Sequence, residues 1–430
     1  MRIMNRHITH IILWAFAIIV MAACGGGGSD VPSPAPTPTP TPTPTNPTNP
    51  DPEPTPEPTP IPEPIQEPQE VPIGFRADLS DAVASTRSAG DGVLDNEGLQ
   101  AKGFGVYCWY TGSDNFTTPS ASINMLMRNQ KVEYVGTQWT YSPSKYWPLN
   151  SEEKLTFRAY APYTDYIKTN ASGMPQLPVV VKATDYHNGS QHDPLWGTGK
   201  HDGTLDTDDA AEHNEIYGKL YDNYTYAMSG DYLASDSRDG VIDWYFHHGM
   251  AMLVFKARYD EKGGDDQVYI TNISISPLYT QGLLSISSAA TSSSTKPTWD
   301  DKSGAMTVNL QGWDGTQSVD LTNYTIYRDH KDDQGNYVYE TLTSPGLLII
   351  PREYNSTTPL TITVTYKRNK NDNNDFTVTR TITSQTFEGN TIYTLNLTVG
   401  SALVAEITSV NVATTKWNEK EGKEHEVYNW

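Results

Sequence analysis

Ten side chains able to bind metal or move protons crowd one stretch of this chain, His187 to Asn214. They are His187, His192, His201 and His213 with Asp193, Asp202, Asp206, Asp208, Asp209 and Glu212. A calcium loop needs oxygen ligands at fixed alternate positions around a glycine turn, and Asp202 to Glu212 does not keep that spacing. A zinc site needs converging ligands, and no two of these histidines stand in the helical i, i+4 relation. The stretch therefore reads as a solvated acidic loop without a metal. His247 and His248 offer a second pair, but no Ser, Cys or carboxylate constellation accompanies them. They read as one histidine satisfied in the core beside an exposed one. Cys108, between Tyr107 and Trp109 in an apolar run, reads as a buried, inert thiol. With no paired-carboxylate, nucleophile-elbow or metal-ligand signature, neither an enzyme nor a cofactor is expected.

One residue does carry a chemical assignment. Arg2 and Arg6 precede an apolar run from Ile11 to Val20, and Met21-Ala22-Ala23 leads into Cys24. A short positive segment, a hydrophobic segment and small residues before a cysteine form a secretory signal rather than a membrane span. They resemble a bacterial lipobox, whose thiol takes a diacylglycerol, so Cys24 is the expected lipidation site. Gly25 follows where an aspartate would favour retention at the inner membrane, and the expected destination is the outer membrane.

The surrounding chain must present whatever follows. From Pro32 to Pro72 it holds 18 of its 30 prolines, mostly in Pro-Thr and Pro-Glu repeats. Such a composition cannot pack a core and favours an extended tether, reaching on the order of 120 Å at ~3.1 Å per residue. The whole chain has 430 residues and a formal charge of −21, from 30 basic against 51 acidic side chains. That surface repels nucleic acid and anionic headgroups. With 26 Tyr and 10 Trp among many Thr and Ser, the composition leans to β-structure.

Period-two patterns place the strands. Leu155, Phe157, Ala159 and Ala161 alternate with Thr156, Arg158 and Tyr160, so a strand with one buried face is expected after the aromatic cluster Trp139, Tyr141, Tyr146 and Trp147. Val71 to Leu79, Gly103 to Tyr110, Met125 to Tyr134 and Val179 to Ala183 read as strands. Val241 to Tyr259 reads as a long one interrupted near Gly249. From Gln267 to Val412 further strands follow at the spacing of an all-β domain. Ser80 to Gly98 reads as a flexible, exposed connector with Thr86-Arg87-Ser88 inside it.

Taken in order, the lipobox, V-P-I-G-F-R-A-D-L, the Thr86-Arg87 connector, Y-W-P followed by K-L-T-F-R-A-Y-A-P, G-D-Y-L-A and F-H-H-G-M-A-M-L-V-F resemble the fimbrillin family of pilus lipoprotein precursors. The resemblance implies two transthyretin-like β-sandwich domains. The expected organisation is a signal over 1–23, a lipidated tether over 24–70, and domains over 71–238 and 239–430. It also implies a subunit or accessory adhesin of a type V pilus, exported as a lipoprotein to the cell surface. Proteolysis at Arg87 would remove the strand Val71 to Leu79, and a C-terminal strand from another subunit, drawn from Ala402 to Trp430, would replace it. Arg76 competes as the cut site but lies within the strand. The implied partners are other fimbrillin subunits and, through the lipid, the outer membrane. A different class of reading is a permanently anchored lipoprotein whose exposed Trp and Tyr stack on glycans.

Overall fold

Almost all of the alternating and aromatic-rich runs fold as strands. The structure is a computed structural model that describes residues 70–79, 93–119, 123–186, 190–199, 220–228, 240–260, 267–287, 297–310, 325–327, 330–342, 346–371, 373–400 and 404–411. In chain order the first strands are β1 Gly74–Leu79, β2 Phe104–Gly112, β3 Asn124–Val135, β4 Gln138–Thr140, β5 Lys154–Ala161, β6 Lys168–Thr169, β7 Pro175–Val180, β8 Leu195–Gly199 and β9 Val241–His248. Next come β10 Ala251–Tyr259, β11 Gln267–Leu278, β12 Gln281–Ser285, β13 Trp299–Ser303, β14 Met306–Asn309, β15 Thr325–Tyr327, β16 Glu340–Thr341 and β17 Leu347–Ile349. The last are β18 Arg352–Tyr354, β19 Leu360–Lys367, β20 Phe376–Ile382, β21 Gln385–Phe387, β22 Thr391–Val399 and β23 Val404–Asn411.

These strands build layered sheets, and the molecule is all-β as expected. A seven-stranded sheet runs β1-β9-β8-β5-β2-β3-β4, and a four-stranded one runs β13-β12-β7-β6. Two five-stranded sheets follow, β16-β10-β22-β23 with β17 also on β10, and β14-β11-β19-β20 with β15 also on β11. Strands β18 and β21 pair separately. One hydrophobic core gathers Phe75, Phe104, Val106, Leu155, Phe157, Trp244 and Phe246. The other gathers Tyr160, Trp196, Phe255, Ile275, Leu348, Ile362 and Leu395.

The seven-stranded sheet lies between these cores, which changes the reading of β5. Its outward set was expected to meet solvent, yet Thr156, Arg158 and Tyr160 are buried as fully as Leu155 and Phe157. Tyr160 belongs to the second core, and the Arg158 guanidinium reaches Asp222 at 2.7 Å. A strand covered on both faces still shows period two when one of its faces is polar but internally satisfied.

The run Val241 to Tyr259, expected to be interrupted near Gly249, is two strands, β9 and β10, in two sheets. The chain passes between the cores at Gly249, whose N–H donates to the Pro194 carbonyl at 2.7 Å and whose carbonyl accepts from the Trp299 indole at 2.9 Å. A Cβ there would stand 2.6 Å from the Pro194 oxygen and 2.7 Å from the Leu284 side chain, so the crossing needs glycine. The expected division at 238/239 falls just ahead of β9, which pairs with β1 and β8.

Two local expectations also shift. The connector reading of Ser80 to Gly98 ends too late, because Asn96–Lys102 is a helix, α1, with Asp95 as its N-cap accepting from the Gly98 N–H at 2.6 Å. Leu94 and Leu99 anchor it in the first core. The strand expected at Val179 to Ala183 lies earlier, as β7, and Ala183–Tyr186 is a 3-10 turn.

Candidate functional site

The expected processing machinery turns on how β1 is held. It is an edge strand of its sheet and pairs in parallel with β9, from Gly74 opposite Val241 to Leu79 opposite Phe246. Its alternation is strict: Phe75, Ala77 and Leu79 are buried, while Gly74, Arg76 and Asp78 are half-buried. Burial of each large apolar side chain contributes about 1.5–3 kcal/mol.

The aromatic cluster Trp139 to Trp147 forms the rest of the cradle. The Tyr141 hydroxyl donates to the Ile73 carbonyl at 2.8 Å, and its ring lies 5.3 Å from that of Phe75. Burial pushes the Tyr141 hydroxyl up to about 12, so it remains a donor through the physiological range. The backbone adds Ile73 N–H to the Lys145 carbonyl at 2.8 Å and Trp147 N–H to the Val71 carbonyl at 2.9 Å. The Trp147 indole donates to the Gly240 carbonyl at 2.7 Å, fixing the start of β9 beside the start of β1. On the outer face the Arg76 guanidinium forks onto Asp243, Nε to Oδ1 at 2.6 Å and Nη2 to Oδ2 at 3.0 Å. Taking β1 away would therefore uncover the hydrogen-bonding edge of β9 and an apolar slot floored by Phe104.

At the far end of β1, the Leu79 N–H donates to the Asn96 carboxamide at 2.9 Å. Arg87 and Cys24, the expected processing and lipidation residues, lie outside the described residues, as does most of the His/Asp stretch, including His187, His201 and Asp202 to Glu212.

Asp193 is the exception in that stretch, and it overturns the solvated reading for its own position. It is buried, and its Oδ2 accepts from the Leu94 N–H at 2.9 Å and from His248 Nδ1 at 2.7 Å. One member of the pair His247 and His248 was expected to be exposed, yet His248 is only 2 % exposed. Only the proximity of Pro194 and of Leu195, which pairs with His248, could have hinted at this contact, and neither is a chemical signal.

His247 is buried too, with Nε2 2.9 Å from the Thr198 hydroxyl and its ring 4.9 Å from Trp196. Burial, aided by neighbouring His248, pushes its pKa down to about 3. The unfolded chain, with an ordinary histidine near 6.5, takes up a proton that the folded chain refuses. Stability contributed by neutral His247 is thus complete above about pH 6.5 and is lost as pH falls toward 3, by at most ~1.4 kcal/mol per pH unit. Urea unfolding at pH 7.5 and pH 5 should show a smaller loss in His247→Gln than in the natural chain; equal losses would exclude His247 as the cause.

No group of three or more His, Cys, Asp or Glu able to hold a metal occurs among the described residues. Cys108 is fully buried, and desolvation raises its pKa well above the usual thiol range. Among the described residues no helix is long and apolar enough to cross a membrane.

Comparison with known proteins agrees with this geometry. A family model described as fimbrillin-like matches residues 86–417. A fimbrial protein from Bacteroides vulgatus shares the fold at 19% identity and a TM-score of 0.52, over 80% of this chain and 99% of its own. The tip fimbrial protein Mfa3 from Porphyromonas gingivalis, solved with a C-terminal truncation, aligns at 10% identity and a TM-score of 0.35, over 80% of this chain and 100% of its own. No curated protein matches this chain.

Proposed function

Since this chain belongs to the fimbrillin-like family, we propose that it is a fimbrial subunit or fimbria-associated adhesin with a structural rather than catalytic role. It reaches the cell surface as an outer-membrane lipoprotein acylated at Cys24. The observation that carries the reading is the mounting of β1: an edge strand with one apolar face, seated in a slot of aromatic residues. Cleavage at Arg87 would sever β1 from the folded body, and a strand from a second subunit would complete the sheet by β-augmentation. Arg76 is the weaker candidate for the cut, because it is held in the strand by its fork onto Asp243.

The donor comes from the segment Ala402 to Trp430. Within it, β23 is itself an edge strand, antiparallel to β22. We place the division between the two sandwich units at Gly249 rather than at 238/239, because β9 shares its sheet with β1. The glycan-platform alternative finds less support among the tryptophans, since Trp109, Trp147, Trp196, Trp244 and Trp299 all face the cores, and it rests on the exposed Tyr146, Tyr166, Tyr327 and Tyr337.

Deleting Val427 to Trp430 tests the donor assignment. The shortened chain is expected to fold and to remain monomeric, with unchanged thermal unfolding and no filaments by electron microscopy. Filaments of normal length from the shortened chain would refute the role of that segment.

A further inference from the structure

A cation without a carboxylate partner lies outside the sheet that holds β1. Arg352, the first residue of β18, is only 8% exposed. Its Nε and Nη1 are shielded from solvent and reach no acceptor, and no carboxylate among the described residues lies within ion-pair distance of its guanidinium. Instead the guanidinium rests over two aromatic rings, 4.1 Å from the centre of Tyr279 and 5.2 Å from that of Tyr354. A second cation joins it: Lys302 Nζ stands 5.8 Å from the same Tyr279 ring and donates to the Pro351 carbonyl at 3.0 Å.

Stacking on aromatic rings recovers part of the cost of desolvating one guanidinium. It does not satisfy the N–H groups, and it does nothing to offset a neighbouring ammonium. Burial, then Arg352, lowers the Lys302 pKa, while Glu353 acts on it in the opposite sense. Glu353 itself points outward from β18. In a chain of formal charge −21, acidic partners are plentiful, so a buried guanidinium left without one, beside an ammonium that Glu353 offsets only in part, marks a place where an anion completes the structure.

We propose that Arg352 and Lys302, between the edge strand β13 and the short β18–β21 pair, form a binding subsite for the carboxylate of a small ligand. With Tyr279 and Tyr354 covering the guanidinium and Nε and Nη1 shielded, approach is in its plane by way of Nη2, the nitrogen that both edges share. A planar carboxylate lying in that plane takes two parallel hydrogen bonds, one from Nη2 and one from Nε or Nη1. A tetrahedral anion would turn an oxygen toward the electron-rich ring faces. Lys302 supplies a second, point-like charge. The subsite is independent of the β1 slot and of strand exchange.

Isothermal titration of the full chain with sodium acetate, glucuronate, inorganic phosphate and glucose tests it. Acetate and glucuronate are expected to bind saturably and glucose not at all. Glucuronate binding tighter than acetate assigns an acidic sugar, and equal binding assigns a carboxylate without a ring; both support the subsite. Arg352→Met should abolish binding while leaving ligand-free thermal stability unchanged or raised, because it removes an uncompensated buried charge. Lys302→Gln should weaken binding about tenfold, the ~1.4 kcal/mol expected of one charge-assisted contact. Absence of binding by either carboxylate, tighter binding of phosphate, or a lowered melting temperature in ligand-free Arg352→Met with binding retained would each overturn the proposal.

Discussion

Cells producing the Arg87→Ala chain are expected to carry only the full-length, lipidated form, without polymer. The reason is mechanical. Phe75, Ala77 and Leu79 fill the slot beneath β9, and six paired residues run from Gly74 to Leu79 along its edge. An incoming strand from another subunit, present at ordinary concentrations, competes against a segment of the same chain joined through the connector. The tethered segment has the advantage of effective concentration, and only its severance from the body removes that advantage. After cleavage β1 keeps its contacts but loses its tether, and a longer or better-fitting donor can displace it. N-terminal sequencing of surface protein should give Ser88, without lipid, for the natural chain and lipidated Cys24 for the variant. Undiminished polymer from Arg87→Ala would end the assignment of that arginine.

How much of this was legible in the sequence depended on what each element packs against. β19 reads directly: Leu360, Ile362, Val364 and Tyr366 are buried and the threonines between them are not, because one face of that strand meets the core. β5 shows the same alternation and misleads, because its polar face is covered by a second core that the strand's own residues do not announce. The crossing at Gly249 was visible as an interruption but not as a change of sheet, since the partners that distinguish the two, β1 and β22, are far away in the chain. Helix α1 is too short for a 3.6-residue period to emerge, and its sequence marks are confined to its ends, Asp95 ahead of Asn96-Glu97 and Lys102-Gly103 after it. The role of the Trp139 to Trp147 cluster as a cradle was hidden for a similar reason: aromatic composition announces burial, whereas the identity of the buried strand is a tertiary fact.

The buried pair of Asp193 and His248 was the least legible feature and carries the largest stability effect. His248→Ala is expected to destabilise the protein by about 3–5 kcal/mol, the usual consequence of leaving one member of a buried pair alone. The Asp193 carboxylate would keep the Leu94 N–H as its hydrogen-bond donor among the described residues, and its Oδ1 already meets none. Most of the loss should then come from the stranded charge rather than from the missing imidazole. That makes the double variant decisive: Asn at 193 can still accept from Leu94 through its carboxamide oxygen but carries no charge. His248→Ala combined with Asp193→Asn should recover a substantial part of the stability lost in His248→Ala alone, a coupling readable in a double-mutant cycle by urea unfolding. Additive losses would show that His248 acts by packing instead. The pair also holds the segment ahead of α1: by gripping the Leu94 amide, Asp193 ties it to β9 through His248. The single variant should therefore also speed amide exchange at Leu94 ahead of the rest of α1, while the double variant restores its protection.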